Sequence, residues 1–282
     1  MKNIAIYLIN KSIGLYINLY SYVNPIRATQ IAYSLFSEPM NGKFTKENLP
    51  LILQETLTES LEFEAQSLQT YTWKGNETII LLVHGWESNA SRWAKLLPYL
   101  KKSGSTIIAI DAPAHGMSGG KEFTVLKYAA FIDVVAKKFK PQFLIGHSIG
   151  GQACLYYQSV YQNIDLQKIV VLGTPSDLEI IFNNYRNTFS LNSKIVNGFK
   201  EYCLKNFNFE VAQFSGNLFA SKIKTKGMVV HDLNDEIVLF EEGQKISSAW
   251  KDSVFVETKG LGHSMHDDAL YQKVSQFLFE AK

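Results

Sequence analysis

Short, nearly continuous apolar runs separated by stretches of helical character constrain this chain more than any other feature. The first is Ile79 to Val83. Others follow at Thr106 to Ile110, Phe143 to Ile145, Ile169 to Leu172, Met228 to Val230 and Val254 to Val256. A strand buried on both faces reads this way. Most gaps between the runs read as helices, at Arg92 to Lys101, Leu126 to Phe139, Gln152 to Tyr161 and Glu241 to Trp250. Strands alternating with helices imply an α/β class with a mostly parallel sheet covered on both sides.

The longest gap, from Leu172 to Met228, predicts an inserted subdomain. Its residues 178–222 are rich in aromatics, among them Phe182, Tyr185, Phe189, Phe199, Tyr202, Phe207, Phe209, Phe214 and Phe219. They are expected to pack a small helical cap, and some to line an apolar pocket. Upstream of the first buried run, Leu61 to Ala65 alternates as a half-buried strand does, and Thr70 to Trp73 is β-rich. The expected organisation is a helical extension over 1–60, a core over 61–177 and 223–282, and the cap over 178–222. A chain of 282 residues has room for this.

Residues 1–23 read MKNIAIYLINKSIGLYINLYSYV. Lys11 interrupts the apolar run and no small-residue cleavage site follows, so neither a signal peptide nor a membrane span fits. Asn3, Asn10, Gly14, Asn18 and Ser21 recur at helical spacing as a narrow polar stripe on an apolar helix. Packing on the main domain or on a dimer partner is the preferred reading. Contact with a membrane surface is the alternative. Asn24-Pro25 ends this helix, and a second follows over Arg27 to Phe36.

Charged residues are only 19% of the chain, which excludes disorder and coiled coil. A net charge of +2 without a dense basic run excludes a nucleic-acid footprint. Two cysteines, Cys154 and Cys203, give neither a disulfide framework nor metal-ligand spacing, and point to a reducing, cytoplasmic compartment. The histidines and acids are dispersed, so no metal site is expected.

The chemistry is concentrated in Gly146-His147-Ser148-Ile149-Gly150, which follows the buried run Phe143 to Ile145 and precedes a helix. A serine on so sharp a strand-to-helix turn needs glycine at both flanks. The amide of Ile149 would then lie at a helix N-terminus, where it can donate to a developing oxyanion. Three further segments sit after buried runs: His84-Gly85-Trp86, Asp111-Ala112-Pro113-Ala114-His115-Gly116-Met117-Ser118, and the acidic loop Asp232-Leu233-Asn234-Asp235. Gly260-Leu261-Gly262-His263 closes the series. Open α/β sheets place their sites on such strand-end loops.

In these motifs and their order, the chain from about residue 60 onward resembles the α/β-hydrolase superfamily. The resemblance implies an α/β-hydrolase fold and a Ser-acid-His triad of Ser148, Asp235 and His263. It implies an oxyanion hole from the amides of Trp86 and Ile149. Ala114 replaces the family's usual glycine in the Asp111 loop, and Asp232 replaces the one after His231. Asp232 and Asp177 are the other acids at strand ends, and His266 is the rival base. All six histidines fall in or beside these motifs. His84 and His115 are expected to bond loop backbone, and His231 to be structural. Trp86, His147 and Met117 are candidate pocket residues.

The expected activity is hydrolysis, without a cofactor, of a small-molecule carboxylic ester or thioester with an apolar acyl part. The protein would be a monomer or homodimer. Cleavage of amide or carbon–carbon bonds, cofactor-free perhydrolysis, and a non-catalytic binding role are the alternatives.

Overall fold

A computed structural model describes residues 2–280. The chain forms two compact units. One comprises Met1–Glu38 and Asp177–Ser215, the other Pro39–Ser176 and Gly216–Lys282.

The larger unit is built on one eight-stranded sheet. Its strands are β1 (Leu57–Phe63), β2 (Gln66–Trp73), β3 (Asn76–Val83), β4 (Ser105–Ile110), β5 (Phe143–His147), β6 (Lys168–Leu172), β7 (Lys226–Asp232) and β8 (Ser253–Thr258). Their spatial order is β1-β2-β4-β3-β5-β6-β7-β8. β1 and β2 pair antiparallel, as do β2 and β4. Every pair from β4 to β8 is parallel. β3 lies between β4 and β5, so the winding reverses there. That reversal opens a crevice at the carboxyl ends of β3 and β5.

Five of the six apolar runs lie in β3 to β7 and are buried on both faces through their centres. The sixth, Val254 to Val256, is not: β8 is the last strand of the sheet, paired on one side only, and Val254 is 49% exposed. Ile80, Leu82, Ile107, Ala109, Phe143, Ile145, Val170, Leu172, Met228 and Val230 share one core with Leu97, Leu100, Leu270, Val274 and Leu278. The intervening Leu81, Val83, Ile108, Ile110, Leu144, Val171 and Val229 are equally buried and point to the opposite face. On the first face lie α3 (Leu51–Gln54), α4 (Leu97–Lys101) and α11 (Asp268–Phe279). The unit's other helices are α5 (Val125–Phe139), α6 (Ile149–Tyr161), α9 (Gly216–Ala220) and α10 (Phe240–Ala249).

Two local expectations change. The strand expected over Leu61 to Ala65 begins earlier and stops at Phe63, because Glu64 and Ala65 make the hairpin turn with φ of +48° and +58°. Two consecutive positive φ values define the turn that matches strand twist. The helix expected over Arg92 to Lys101 is broken into a 3₁₀ turn (Ala90–Lys95) and α4. Pro98 has no N–H to donate, and its ring excludes a continuous helix from Ala94.

The smaller unit is helical. It holds α1 (Lys2–Tyr20), α2 (Pro25–Ser37), α7 (Leu178–Phe189) and α8 (Ser193–Phe207). Asn24 caps α2 by accepting the Arg27 amide at 3.0 Å. An aromatic cluster forms its centre. Phe182 and Phe199 stack at 4.2 Å, Phe36 meets both edge-on, and Tyr33 lies 4.3 Å from Tyr202. Such pairs add to the apolar burial that holds the helices together. No helix among the described residues is long and apolar enough to cross a membrane.

Candidate active site

The turn from β5 into α6 bends at Ser148, whose φ of +54° and ψ of −130° lie in a region L-residues rarely adopt. Such a conformation stores about 1–3 kcal/mol, which the surroundings must offset. They do so by close approach. A Cβ on Gly150 would stand 2.2 Å from the His84 carbonyl oxygen, and one on Gly146 would stand 2.6 Å from Gly151 Cα. The Ser148 amide is also pinned from β6, donating to Leu172 O at 2.8 Å.

Ser148 Oγ lies 3.0 Å from His263 Nε2, and His263 Nδ1 lies 2.8 Å from Asp235 Oδ2. The carboxylate can only accept, so the proton between them belongs to Nδ1. Nε2 is then left as the acceptor for the serine hydroxyl. Burial pushes the Asp235 carboxyl up, but the His263 hydrogen bond and two backbone amides outweigh it, and the group is held below the ordinary range. Those amides are Ile237 and Val238, each 2.9 Å from Oδ1.

The loops bearing these groups are tied by residues whose role the sequence did not disclose. Asp232 Oδ1 accepts the amides of Asn234 and Gly262. Its Oδ2 accepts the Thr258 hydroxyl and the Leu261 amide, all at 2.8–3.1 Å. Asp232 therefore clamps the end of β7 to the loop that carries His263. Asp232→Ala leaves four donors without this acceptor. It is expected to lower stability by about 3 kcal/mol, read from the denaturant midpoint. A loss under 1 kcal/mol would contradict the clamp.

His147 is buried and donates from Nε2 to the His263 carbonyl at 2.8 Å, so it holds that loop from the other side. Arg92 donates to the adjacent Ser264 carbonyl at 2.8 Å, while its buried Nε has no acceptor among the described residues. Burial lowers Arg92 to about 10.

Other candidates are engaged elsewhere. His84 donates from Nδ1 to Gly85 O and accepts the Ala112 amide at Nε2. His115 does the same between Pro113 O and the Glu87 amide. His231 bonds Val238 O, and His266 bonds the Tyr271 hydroxyl. Asp177 accepts the Ser215 hydroxyl. Asp111 is buried, with its carboxylate on the Ala90 and Met117 amides and the Tyr71 hydroxyl. Burial raises it to about 6. Ala114 in that loop has φ +64°, the left-handed conformation a glycine would adopt there.

Two amides are free. Neither Trp86 N–H nor Ile149 N–H has an acceptor among the described residues. Gly85 brings its turn close to the serine, since a Cβ there would be 2.9 Å from Ser148 Cβ. The Trp86 ring is 37% exposed and stands edge-on to His115 and Phe123. Met117 is partly buried. No group of three histidine, cysteine or acidic residues among the described ones is arranged to hold a metal.

The sheet order, the elbow turn and the strand-end loops form one recognisable arrangement, and residues 78–207 match the alpha/beta hydrolase fold family. The chain has the α/β-hydrolase fold. A Drosophila melanogaster relative named "probable serine hydrolase" is 29% identical over 163 residues, covering 52% of this chain and 49% of that protein. Phospholipase YtpA of Bacillus subtilis is 25% identical over 122 residues, covering 40% and 47%. The matched parts thus span about half the length of these relatives. Among solved structures, a thioesterase domain from the curacin biosynthetic pathway superposes with a TM-score of 0.58. It is 17% identical and covers 80% of this chain and 99% of that domain. At that identity the likeness is one of fold.

Proposed function

We propose that this α/β-hydrolase-fold protein is a serine hydrolase of carboxylic esters or thioesters, acting through Ser148, His263 and Asp235. The observation that carries the reading is the continuous hydrogen-bonded path from Ser148 Oγ through His263 to Asp235, on a strained turn beside two free amides. A serine hydroxyl is a weak nucleophile unless a positioned base takes its proton.

In this reading Ser148 Oγ attacks the carbonyl carbon as its proton passes to His263 Nε2. The carbonyl oxygen becomes an oxyanion, which accepts from the Trp86 and Ile149 amides. Collapse of the tetrahedral species expels the alcohol or thiol, which takes the proton from Nε2. A water then attacks the acyl-enzyme, giving its proton to Nε2, and the acid leaves as Ser148 regains its hydrogen. Asp235 holds the imidazole in the required tautomer and stabilises the imidazolium. Trp86 and Met117 are assigned to the wall of an apolar acyl site. His147 is assigned a positioning role behind His263.

The test is a panel of p-nitrophenyl and thioester substrates of increasing acyl length, run on the wild type and Ser148→Ala. The expected result is turnover of short to medium acyl esters that Ser148→Ala lowers at least about 10⁴-fold. Equal activity in the two proteins would refute the assignment.

A further inference from the structure

The first helix buries Ile17, with Ile13 and Tyr20, and its polar stripe, and leaves much of its apolar surface outside. Its polar stripe faces the helical unit. Lys11 Nζ donates to Asn187 O and Ser190 Oγ, both at 2.8 Å. Asn18 donates to Ser190 O and accepts the Asn192 amide, and Ser21 Oγ accepts from the Asn192 side chain. At Gly14 the helix touches backbone, since a Cβ there would stand 1.6 Å from Phe189 O. The Asn3 side chain lies outside the described residues.

The opposite side is aliphatic and open. Ile4, Leu8, Leu15 and Leu19 lie along one outward face and are 58–65% exposed. The only polar side chain among them, Ser12, turns its hydroxyl back to Leu8 O at 2.9 Å. Ile6, Tyr7 and Ile9 are also at least half exposed, so residues 4–9, which read IAIYLI, are apolar all the way round. Tyr16, Tyr22, Val23 and Ile26 continue the exposed surface through the start of α2. Large contiguous apolar patches of this kind mark interaction sites.

Charge points to the occupant. The first 37 residues contain Lys2, Lys11 and Arg27 and no aspartate or glutamate; Lys11 is taken up by α7, and Arg27 is exposed at the start of α2. Lys194 adds a cation beside the patch, its Nζ 4.1 Å from the centre of the Tyr22 ring. A second copy related by a two-fold axis would set this cationic border against itself. A facing helix would also cover only one side of residues 4–9, which are apolar all round. An anionic lipid surface satisfies both features: acyl chains can surround the apolar end, tyrosines suit the headgroup level, and cations meet anionic headgroups. We infer that α1 docks on anionic lipid bilayers through Ile4, Leu8, Leu15 and Leu19, lying in the interface without crossing it. This does not depend on the hydrolase reading.

The test is co-sedimentation of the full chain with vesicles of phosphatidylcholine and phosphatidylglycerol in equal parts, and with phosphatidylcholine alone. The variant is Leu8→Ser with Leu15→Ser and Leu19→Ser. All three sites are exposed, so its melting midpoint should match the wild type. The expected result is wild-type binding to the mixed vesicles, about tenfold weaker on phosphatidylcholine alone, and at least about tenfold weaker for the variant. Wild type that stays in the supernatant with both vesicle types would overturn the inference, as would a variant that binds equally. Self-association without lipid that the variant abolishes would assign the face to a second copy and overturn it too.

Discussion

Asp235→Asn is expected to slow ester turnover about 10⁴-fold with little change in KM or melting midpoint. The reason lies in the two sides of the carboxylate. Oδ1 faces the amides of Ile237 and Val238, both donors, and Oδ2 faces His263 Nδ1. A carboxamide in that position will turn its oxygen to the two amides and its NH₂ to the imidazole. Nδ1 must then accept, so the ring proton moves to Nε2. In that tautomer Nε2 meets Ser148 as a donor and cannot take the hydroxyl proton. The imidazolium that forms during attack also loses its counter-charge. The loss should appear in kcat, because no substrate contact is removed. A fall of less than tenfold would mean that another acid orients His263.

Acidification from pH 7 to pH 5 is expected to lower the thermal midpoint by several degrees. Burial lowers His84 to about 3. Burial, with Arg92 nearby, holds His147 well below the ordinary value. Burial also lowers His115, His231 and His266. In the unfolded chain each would titrate near 6.5. Below that pH the unfolded state binds protons that the folded state does not, so stability falls as pH falls. For His84 alone the loss by pH 5 is about 2 kcal/mol, from about 1.4 kcal/mol per pH unit.

Asp111 acts in the opposite sense. Its folded value near 6 means that the folded state gains a proton first on acidification, which restores about 1 kcal/mol by pH 5. The histidines outnumber it, so the net effect is destabilising, at about 2–4 °C per kcal/mol. A midpoint at pH 5 equal to or above that at pH 7 would contradict this account. His84→Asn should flatten the difference.

The strands were legible because a strand buried on both faces has no polar side to show, and Ile79 to Val83 states this directly. The elbow was legible because few sequences can hold a strained serine, and Gly146 and Gly150 stand where a Cβ would strike backbone. Less could be read where tertiary contact decides. The hairpin turn at Glu64-Ala65 carries none of the glycine or asparagine that usually marks it. Asp232 looked like a rival to Asp235, yet besides the nearby Asn234 amide three donors converge on it from 26 to 30 residues further along the chain. His147 looked like a wall of the site, and its bond to the His263 carbonyl spans 116 positions of chain.

The first helix shows the same limit. Periodicity revealed a polar stripe and an apolar face but not which one docks. That choice was made by carbonyls at the C-terminal end of α7, Asn187 O and Ser190 O. A helix end carries partial negative charge and leaves carbonyls short of partners: among the described residues Asn187 O accepts only the Ser190 amide locally, at 3.3 Å. Lys11 and Asn18 satisfy them, and the aliphatic side is thereby turned outward.

The most direct test of the central claim, an activated Ser148, is labelling with a fluorophosphonate probe read by peptide mass spectrometry. The proteins are the wild type, Ser148→Ala and His263→Ala. Phosphonylation is expected at Ser148 on the wild type, not on Ser148→Ala, and at a rate at least about 10⁴-fold lower on His263→Ala. A folded wild-type protein that takes no label, or one labelled equally fast without His263, would contradict that claim.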